Sequence, residues 1–287
     1  MNVFCFIFAR GGSKSVKNKN IVNFNNKPLI ANTILQAKRI KLIDKIFVST
    51  DSRRIAKIAA KYGAIIPFIR PKKLATDTSP EYLSWKHAIK TCEKLYKKKI
   101  DIFVSLPTTS PLRKDEDIKK SLNFFIKNHK KYDMLVSTTN TNHLPGFNIV
   151  KVLKDGTFKL EGRAKKKLFR RQQVKNVHNL STCFYYANRN YINRCKKNPL
   201  LTGKKYAYLV DKKNAIDIDD KLDLDLAKYL FKKKWRKNLK ETIQNKHLKK
   251  MLDLNEVISA IDYLIESEYI AEINIVVDGG CQFINRC

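Results

Sequence analysis

The chain has 287 residues, 43% hydrophobic and 10% aromatic, with 9 Gly and 8 Pro, a composition that excludes disordered, collagen-like and linker-dominated proteins. Lys and Arg number 59 against 26 Asp and Glu, a net charge of +33. The apolar run at 3–9 is far shorter than the roughly 18 residues of a membrane span and has no basic stretch before it, so a soluble, cytoplasmic protein is expected.

The run VFCFIFA at 3–9 suits a strand buried on both faces, and a loop rich in Gly, Ser and Lys follows over 10–20. Pro28 opens a helix over 28–40 in which Leu29, Ile30, Thr33, Ile34 and Ala37 share one stripe. Residues 45–50 read as a second strand, and 51–63 as a helix with Asp51 or Ser52 as N-cap and Gly63 as its stop. AIIPFI at 64–69 reads as a third strand. Ser79-Pro80-Glu81 starts a long helix, 101–106 is a fourth strand, 114–130 a helix and 132–138 a fifth strand. From 140 to 210 the pattern breaks into short β-like pieces around a basic stretch at 163–171, an expected excursion from the main sheet. AIDID at 215–219 reads as a strand, and a helical run closes the unit near 234.

Strands alternating with helices at this spacing predict an α/β fold with a doubly wound, largely parallel sheet. One domain is expected over 1–234, with 140–180 as its excursion. Residues 235–287 form an appended tail with a basic linker-like helix, an amphipathic piece and a final strand. Ligands of such sheets sit beyond the carboxyl ends of the strands, which directs attention to loops 10–20, 70–80 and 107–113.

The six cysteines contain no C-x-x-C pair and the five histidines no H-E-x-x-H, so the common zinc signatures are absent and reduced, structural thiols are expected. The charge has two readings. A nucleic-acid binder is rewarded by counterion release. However, the lysines are spread over nearly every segment and Arg, the better base reader, accounts for 13 of the 59 cations, which favours a general Lys bias that also steers anionic substrates.

Three segments carry chemistry. In ARGGSKSVKNKN at 9–20, Gly11 and Gly12 let the backbone approach a phosphate, and Lys14, Lys17 and Lys19 neutralise it; the spacing is neither a Walker loop nor G-x-G-x-x-G. In AIDIDDKLDLD, strand alternation puts Asp217 and Asp219 on one face, about 7 Å apart, a pair suited to a divalent cation that also grips phosphate; Asp219 or Asp220 serving only as a helix cap is the competing reading. LPTTSPLR at 106–113 offers small hydroxyls and Arg113 to a polar ligand, or simply opens the next helix.

Taken together, ARGGSK…KNKN, RP-x-x-LATD-x-S at 70–79, LPTTSPLR, the RRQ at 170–172 and the IDID segment resemble, in order and spacing, the N-acylneuraminate cytidylyltransferases, and among them the legionaminic-acid type. The resemblance runs from residue 1 to about 234. It implies a Rossmann-like nucleotidyltransferase fold and transfer of CMP from CTP to the anomeric 2-hydroxyl of a nine-carbon α-keto-acid sugar, with release of pyrophosphate and with Mg²⁺ as cofactor. Carried over by position, Arg10, Gly11 and Gly12 match the nucleotide loop and Lys14 and Lys19 its phosphate-contacting lysines. Asn20 and Arg70 match residues near cytosine and ribose, and Asp77 and Ser79 border the nucleotide. Asp217 and Asp219 match the magnesium-binding pair, and Thr109, Arg171 and Tyr185 positions lining the sugar site. The family also implies a homodimer in which the 140–180 excursion reaches the neighbouring subunit.

Pro107 stands where some sialic-acid enzymes have Gln, and His178, Asn179 and Ser181 replace other residues of the acceptor wall, so the particular nonulosonic acid stays open. Residues 246–287 resemble the extreme C-terminus of short-chain dehydrogenases, whose Gly-rich NAD loop is absent here, and are read as a fusion remnant. The alternative function is a non-catalytic basic protein of the same fold that binds nucleic acid or an acidic partner.

Overall fold

The structure is a computed structural model that describes residues 1–13, 15–141, 143–145, 148–154, 156–161 and 177–245, with 234–245 as backbone only. In chain order the elements are β1 (Val3–Phe8), β2 (Asn23–Phe24), β3 (Lys27–Pro28), α1 (Leu29–Lys38), β4 (Lys45–Ser49), α2 (Arg53–Lys61), α3 (Glu81–Tyr96), β5 (Ile102–Ser105), α4 (Asp115–Asn128), β6 (Met134–Asn140), β7 (Val150–Val152), β8 (Phe158–Leu160), β9 (His178–Asn188), α5 (Arg189–Arg194), β10 (Lys205–Leu209) and α6 (Lys221–Asn245). The chain divides into Met1–Ala227 and Lys228–Cys287, and the sheet with α1–α5 belongs to the first unit. The dehydrogenase-like tail at 246–287 lies outside the described residues. Among the described residues no helix is long and apolar enough to cross a membrane.

Six strands form the main sheet in the order β10-β6-β9-β5-β1-β4. β1 is parallel to both β4 and β5, β10 is parallel to β6, and β9 alone runs antiparallel, between β5 and β6. The expected doubly wound, largely parallel sheet is therefore present, and alternation along β1 explains its two packed faces. Val3, Cys5 and Ile7 face one core, against Ile30 and Ile34 of α1, Ile55 of α2 and Leu122 and Phe125 of α4. Phe4 and Phe6 face the other, against Trp85, Ile89 and Cys92 of α3 and Ile192 of α5. There the rings of Phe6 and Phe47 lie 5.4 Å apart and those of Phe6 and Phe103 5.2 Å apart. Each fully buried Phe contributes about 1.5–3 kcal/mol, and such ring pairs add about 0.5–1.5 kcal/mol. Cys5, Cys92, Cys183 and Cys195 are free and buried in these layers, as expected of structural thiols. Burial pushes the Cys5 thiol up to about 12, which keeps it unreactive.

Three expectations are corrected. Residues 64–69 are not a strand. Pro67 has no N–H to donate, and the segment touches the sheet only through isolated bridges, Phe47 with Ile65 and Thr50 with Ile69. The bond from Arg70 N–H to Thr50 O, 2.8 Å, still delivers Arg70 to the carboxyl end of β4. Second, the pieces after 140 do not all leave the sheet. Among the described residues after 140, β7 and β8 form a separate hairpin, whereas β10 takes one edge of the sheet and β9 a central place. The run Cys183–Ala187 is buried on both faces, as a central strand requires. Third, 215–219 joins no ladder, and Ala215 at its start is not extended, with φ −111° and ψ 24°. Its anchor is Ile218, fully buried, whose N–H donates to Thr109 O at 2.8 Å.

Candidate active site

β1 lies between β4, which follows it in the chain, and β5, which comes later on its other side, so the loops leaving β1 and β5 diverge at a topological switch point. A cleft of about 530 Å³ opens there, walled by loop 9–20, the 70–84 segment, loop 107–109 and β9. The first loop is pinned at its start by Ala9 N–H to Ser49 O, 3.0 Å, and the other by Leu106 N–H to Phe6 O, 3.2 Å.

The β1 loop is held by its own residues. Gly11 N–H donates to Asp51 Oδ1 at 2.9 Å, so it is already engaged, and a Cβ at Gly11 would come within 3.1 Å of Ser52 Cβ, a tight contact that Ser52 would have to yield to by a few tenths of an ångström. A Cβ at Gly12 would meet nothing within 4 Å, so its backbone stands open. Asn20 is buried, donating through Nδ2 to Arg10 O at 2.9 Å and accepting from the Thr108 hydroxyl, so it ties the β1 loop to the β5 loop. Arg10 pairs with Asp77. Lys19 reaches Asp219 Oδ1 at 3.2 Å, with the Ser15 hydroxyl donating to the Asp219 carbonyl. Lys14 and Arg171 lie outside the described residues.

The two acidic positions differ in role. Asp220, not Asp219, caps α6: Asp223 N–H donates to Asp220 Oδ1 at 2.9 Å, and Asp223 Oδ2 accepts from the N–H groups of Asp219 and Asp220 at 3.0 and 3.1 Å. The Asp219 carboxylate is thereby left to the cleft, where it is 78% exposed. Asp217 is half-buried and joined to the wall through the hydroxyls of Thr109 and Thr182. Burial raises its carboxyl above the usual carboxylate range, and the Asp219 charge adds to this, while the two threonines and Lys19 oppose it. Its buried Oδ1 has no hydrogen-bond partner. An orphaned carboxylate oxygen beside a second, accessible carboxylate fits a hard divalent cation. No cluster of three or more His, Cys, Asp or Glu surrounds it among the described residues, which suits an ion that keeps water and substrate oxygens as its other ligands.

The wall also includes Arg70, Ser79, Thr109, Tyr185 and a residue that sequence reasoning missed, Glu81. Arg70 is 5% exposed. Its Nη1 donates to Ser84 Oγ at 3.4 Å and its Nη2 lies 3.9 Å from Asp51 Oδ1, yet Nε and Nη2 have no hydrogen bond. Desolvation lowers its pKa, with Asp51 and Glu81 holding it up. Glu81 is the first residue of α3, and Oε1 accepts from Trp85 Nε1 at 3.2 Å. It is open to solvent within the cleft but surrounded by protein, and desolvation raises its carboxyl, helped by Asp217 and opposed by Trp85 and Arg70. Tyr185 is buried on β9 with its phenol pushed up by burial and by the charges of Glu81 and Asp217. The one sequence sign of Glu81 was its place after Pro80, which reads as a helix start. Arg113 does not line the cleft: it is 3% exposed, and its guanidinium bonds Gln36, Cys183 and Thr33.

A hydroxyl-rich cleft at the switch point of a doubly wound sheet, with Arg10, Lys19 and Arg70 set among Asp77, Glu81 and Asp219, is suited to a nucleotide-binding α/β enzyme. In fold, the chain is similar to the solved structure of CMP:2-keto-3-deoxy-manno-octonic acid synthetase complexed with CTP, with a TM-score of 0.61 at 14% identity over 82% of this chain and 100% of that one. The cytidylyltransferase family profile matches residues 4–258, and the chain belongs to that family of nucleotidyltransferases. It is 35% identical over 233 residues to the post-translational flagellin modification protein B of Campylobacter coli, covering 81% of this chain and 96% of that protein. It is 32% identical over 230 residues to the CMP-N,N'-diacetyllegionaminic acid synthase of Campylobacter jejuni, covering 79% and 94%.

Proposed function

We propose that this cytidylyltransferase transfers CMP from CTP to the anomeric 2-hydroxyl of a nine-carbon α-keto-acid sugar of the sialic or legionaminic type, with Mg²⁺, supplying an activated sugar for surface glycans in the cytoplasm. The observation that carries the reading is the orphaned, buried Oδ1 of Asp217, close to Asp219 and Lys19, two residues that line the cleft shared by Arg10 and the β1 loop. The name of the Campylobacter jejuni relative supports the sugar class.

In this reading Asp217 and Asp219 hold the ion, which when bound supplies Lewis-acid polarisation of the reacting phosphoryl group. Arg10 and Lys19, both already aimed at the cleft by carboxylate partners, exchange those partners for triphosphate oxygens and stabilise the charge that builds as pyrophosphate departs. Lys14 is given the same role on the family resemblance alone. Arg70, Asn20, Asp77 and Ser79 belong to the nucleoside end. Thr109, Tyr185 and Arg171 belong to the acceptor end, where a guanidinium pairs bidentately with the sugar carboxylate. Holding both substrates at fixed positions is itself a large share of the rate enhancement. The transferase is assigned to 1–234, with 235–287 as an appendage. Pyrophosphate release with CTP, Mg²⁺ and sialic, legionaminic or pseudaminic acid tests the reading. Turnover with one of them is expected; a folded protein that neither turns over any of the three nor binds CTP overturns it.

We also propose a homodimer. In the β7–β8 hairpin the pairs Val150–Leu160 and Val152–Phe158 put four apolar side chains on one face, each 44–66% exposed, and a lone two-stranded hairpin is marginal in water. Light scattering should give twice the 33.4 kDa chain mass, and Val152→Lys with Phe158→Lys should return it to one chain. A monomeric wild type overturns the assignment.

A further inference from the structure

The positive charge of the chain does not gather at the cleft beyond β1 and β5. There Arg10, Lys19 and Arg70 stand among Asp77, Glu81 and Asp219, so cations and carboxylates balance. A second cavity, of about 650 Å³, opens at the other end of the sheet, among the amino ends of β5, β6 and β10 and the carboxyl end of β9. Its walls carry Lys99, Lys130, Lys131, Lys204, Arg189 and Arg194 against two carboxylates, Asp101 and Asp133. A lysine bias spread over the whole chain would load both cavities alike.

The carboxylates and the arginines of this second cavity are already committed. Asp133 accepts from Arg194 Nη2 and from the Lys204 N–H, each at 2.9 Å, and Asp101 Oδ2 accepts from the Asn2 N–H at 2.6 Å. Arg189 grips Glu93 through Nε and Nη2 at 2.9 and 2.7 Å. The four lysines remain, and none has an ion-pair partner among the described residues. Two of them crowd together: Lys131 Nζ and Lys204 Nζ lie 5.3 and 5.8 Å from the centroid of one ring, that of Tyr132, which offsets part of their repulsion. The backbone that carries the lysines is held in place. Asn188 Nδ2 donates to His129 O at 2.7 Å and to Tyr132 O at 2.9 Å, Asp133 N–H to Lys204 O at 2.8 Å, and Asn2 Nδ2 to Lys99 O at 2.8 Å.

We infer that this cavity is a second binding site, for a small ligand bearing two or more phosphate groups. Ammonium groups donate and never accept, so their partners are the oxygens of an anion. Several of them in one volume repel each other, and a ligand with more than one negative charge relieves that repulsion where a single charge would not. Lysine rather than free arginine lines the site, which suits phosphates met as point charges and not a carboxylate gripped by a fork. A volume of this size takes one small molecule. The site shares no residue with the cleft, so the inference does not depend on which reaction the cleft performs.

The test is calorimetric titration of the full-length protein with inorganic tripolyphosphate at about 0.15 M salt, with circular dichroism to establish folding. Two double variants probe the cavity, Lys131→Gln with Lys204→Gln and Lys99→Gln with Lys130→Gln. A third, Lys57→Gln with Lys90→Gln, removes the same charge from exposed positions on α2 and α3 outside both cavities. Wild type should bind an equivalent of tripolyphosphate that CTP does not displace. That equivalent should weaken by about tenfold or more in either folded cavity variant and stay unchanged in the third. Equal weakening in all three variants, or none in the folded cavity variants, overturns the inference. So does a wild type whose tripolyphosphate is displaced entirely by CTP, or one that binds none. Inorganic monophosphate bound as tightly as tripolyphosphate overturns the requirement for two or more phosphates. A single-stranded oligonucleotide of about ten nucleotides that binds the same lysines more tightly than tripolyphosphate overturns the small ligand in favour of nucleic acid.

Discussion

Replacing Asp217 with Asn is expected to lower cytidylyl transfer by roughly a hundredfold to a thousandfold, the range seen when one element of transition-state charge stabilisation is removed, while raising the melting temperature of the metal-free protein. The two effects have one cause. Burial, and after it the Asp219 charge, holds the Asp217 carboxyl above its ordinary range in the folded state. A carboxyl whose folded pKa exceeds its unfolded value binds its proton more tightly when folded. It therefore opposes folding at every pH above the folded pKa, and that opposition vanishes below the unfolded pKa. At neutral pH the charged side chain is a liability to the fold, and Asn removes it while keeping shape and the capacity to bond Thr109 and Thr182. Asn also withdraws the charge a divalent cation needs. Mg²⁺ should raise the melting temperature of wild type and leave that of Asp217→Asn unmoved. A variant that retains wild-type turnover, or one whose Mg²⁺ response persists, would remove Asp217 from the metal site. Asp219→Asn should share the loss of activity but not the gain in stability, because its side chain is 78% exposed and has Lys19 beside it.

This pairing of a strained carboxylate with function explains why the site was more legible in the sequence than parts of the scaffold. Arg10, Lys19, Asn20, Arg70, Asp77, Ser79, Thr109, Tyr185 and Asp219 all come to one cleft, although the segments that carry them are up to about 200 residues apart. Apart from Tyr185 on β9 they sit outside the strands; the family resemblance singled most of them out, and strand-end loops converge in any doubly wound sheet. Partnership was not legible. That Asn20 binds the β5 loop, that Gly11 is packed against Ser52, and that Asp220 rather than Asp219 caps α6 follow from the register of distant elements. Residues 64–69 misled because their apolar run outweighed Pro67, and 215–219 because alternating apolar and acidic residues need not pair in a ladder. β9 was legible as β but not as central, since its neighbours β5 and β6 are set by long-range pairing. Glu81 was hidden by its position, a helix start where an acidic residue needs no further explanation.

Arg113 gives the second large effect, on stability rather than chemistry. In LPTTSPLR a terminal guanidinium after small hydroxyls invites a ligand, but this one is turned inward. Nε donates to Gln36 Oε1 at 2.6 Å, Nη1 to Cys183 O at 2.7 Å and Nη2 to Thr33 Oγ1 at 2.9 Å, joining α1, β9 and the loop before α4. Gln36 returns the bond from Nε2 to Arg113 O at 2.9 Å and to Asp115 Oδ1 at 2.8 Å, so side chain and backbone are gripped together. Its charge is buried among neutral acceptors; burial lowers its pKa, with Asp115 among the groups that offset this through space. Arg113→Ala would leave three acceptors unpaired around a new cavity and should destabilise the protein by about 3–5 kcal/mol, a large part of a typical total of about 5–15 kcal/mol. Arg113→Met keeps most of the volume and also removes a buried charge, so its destabilisation should be smaller than that of Ala; Lys, with a single compact head for three separated acceptors, should fall between them. Denaturant midpoints rank the three. The folded fraction of Arg113→Lys should bind CTP as wild type does, because the guanidinium lies outside the cleft wall. An unchanged midpoint with weakened CTP binding would return Arg113 to the ligand, and would mean that the β5 loop turns outward when the nucleotide arrives.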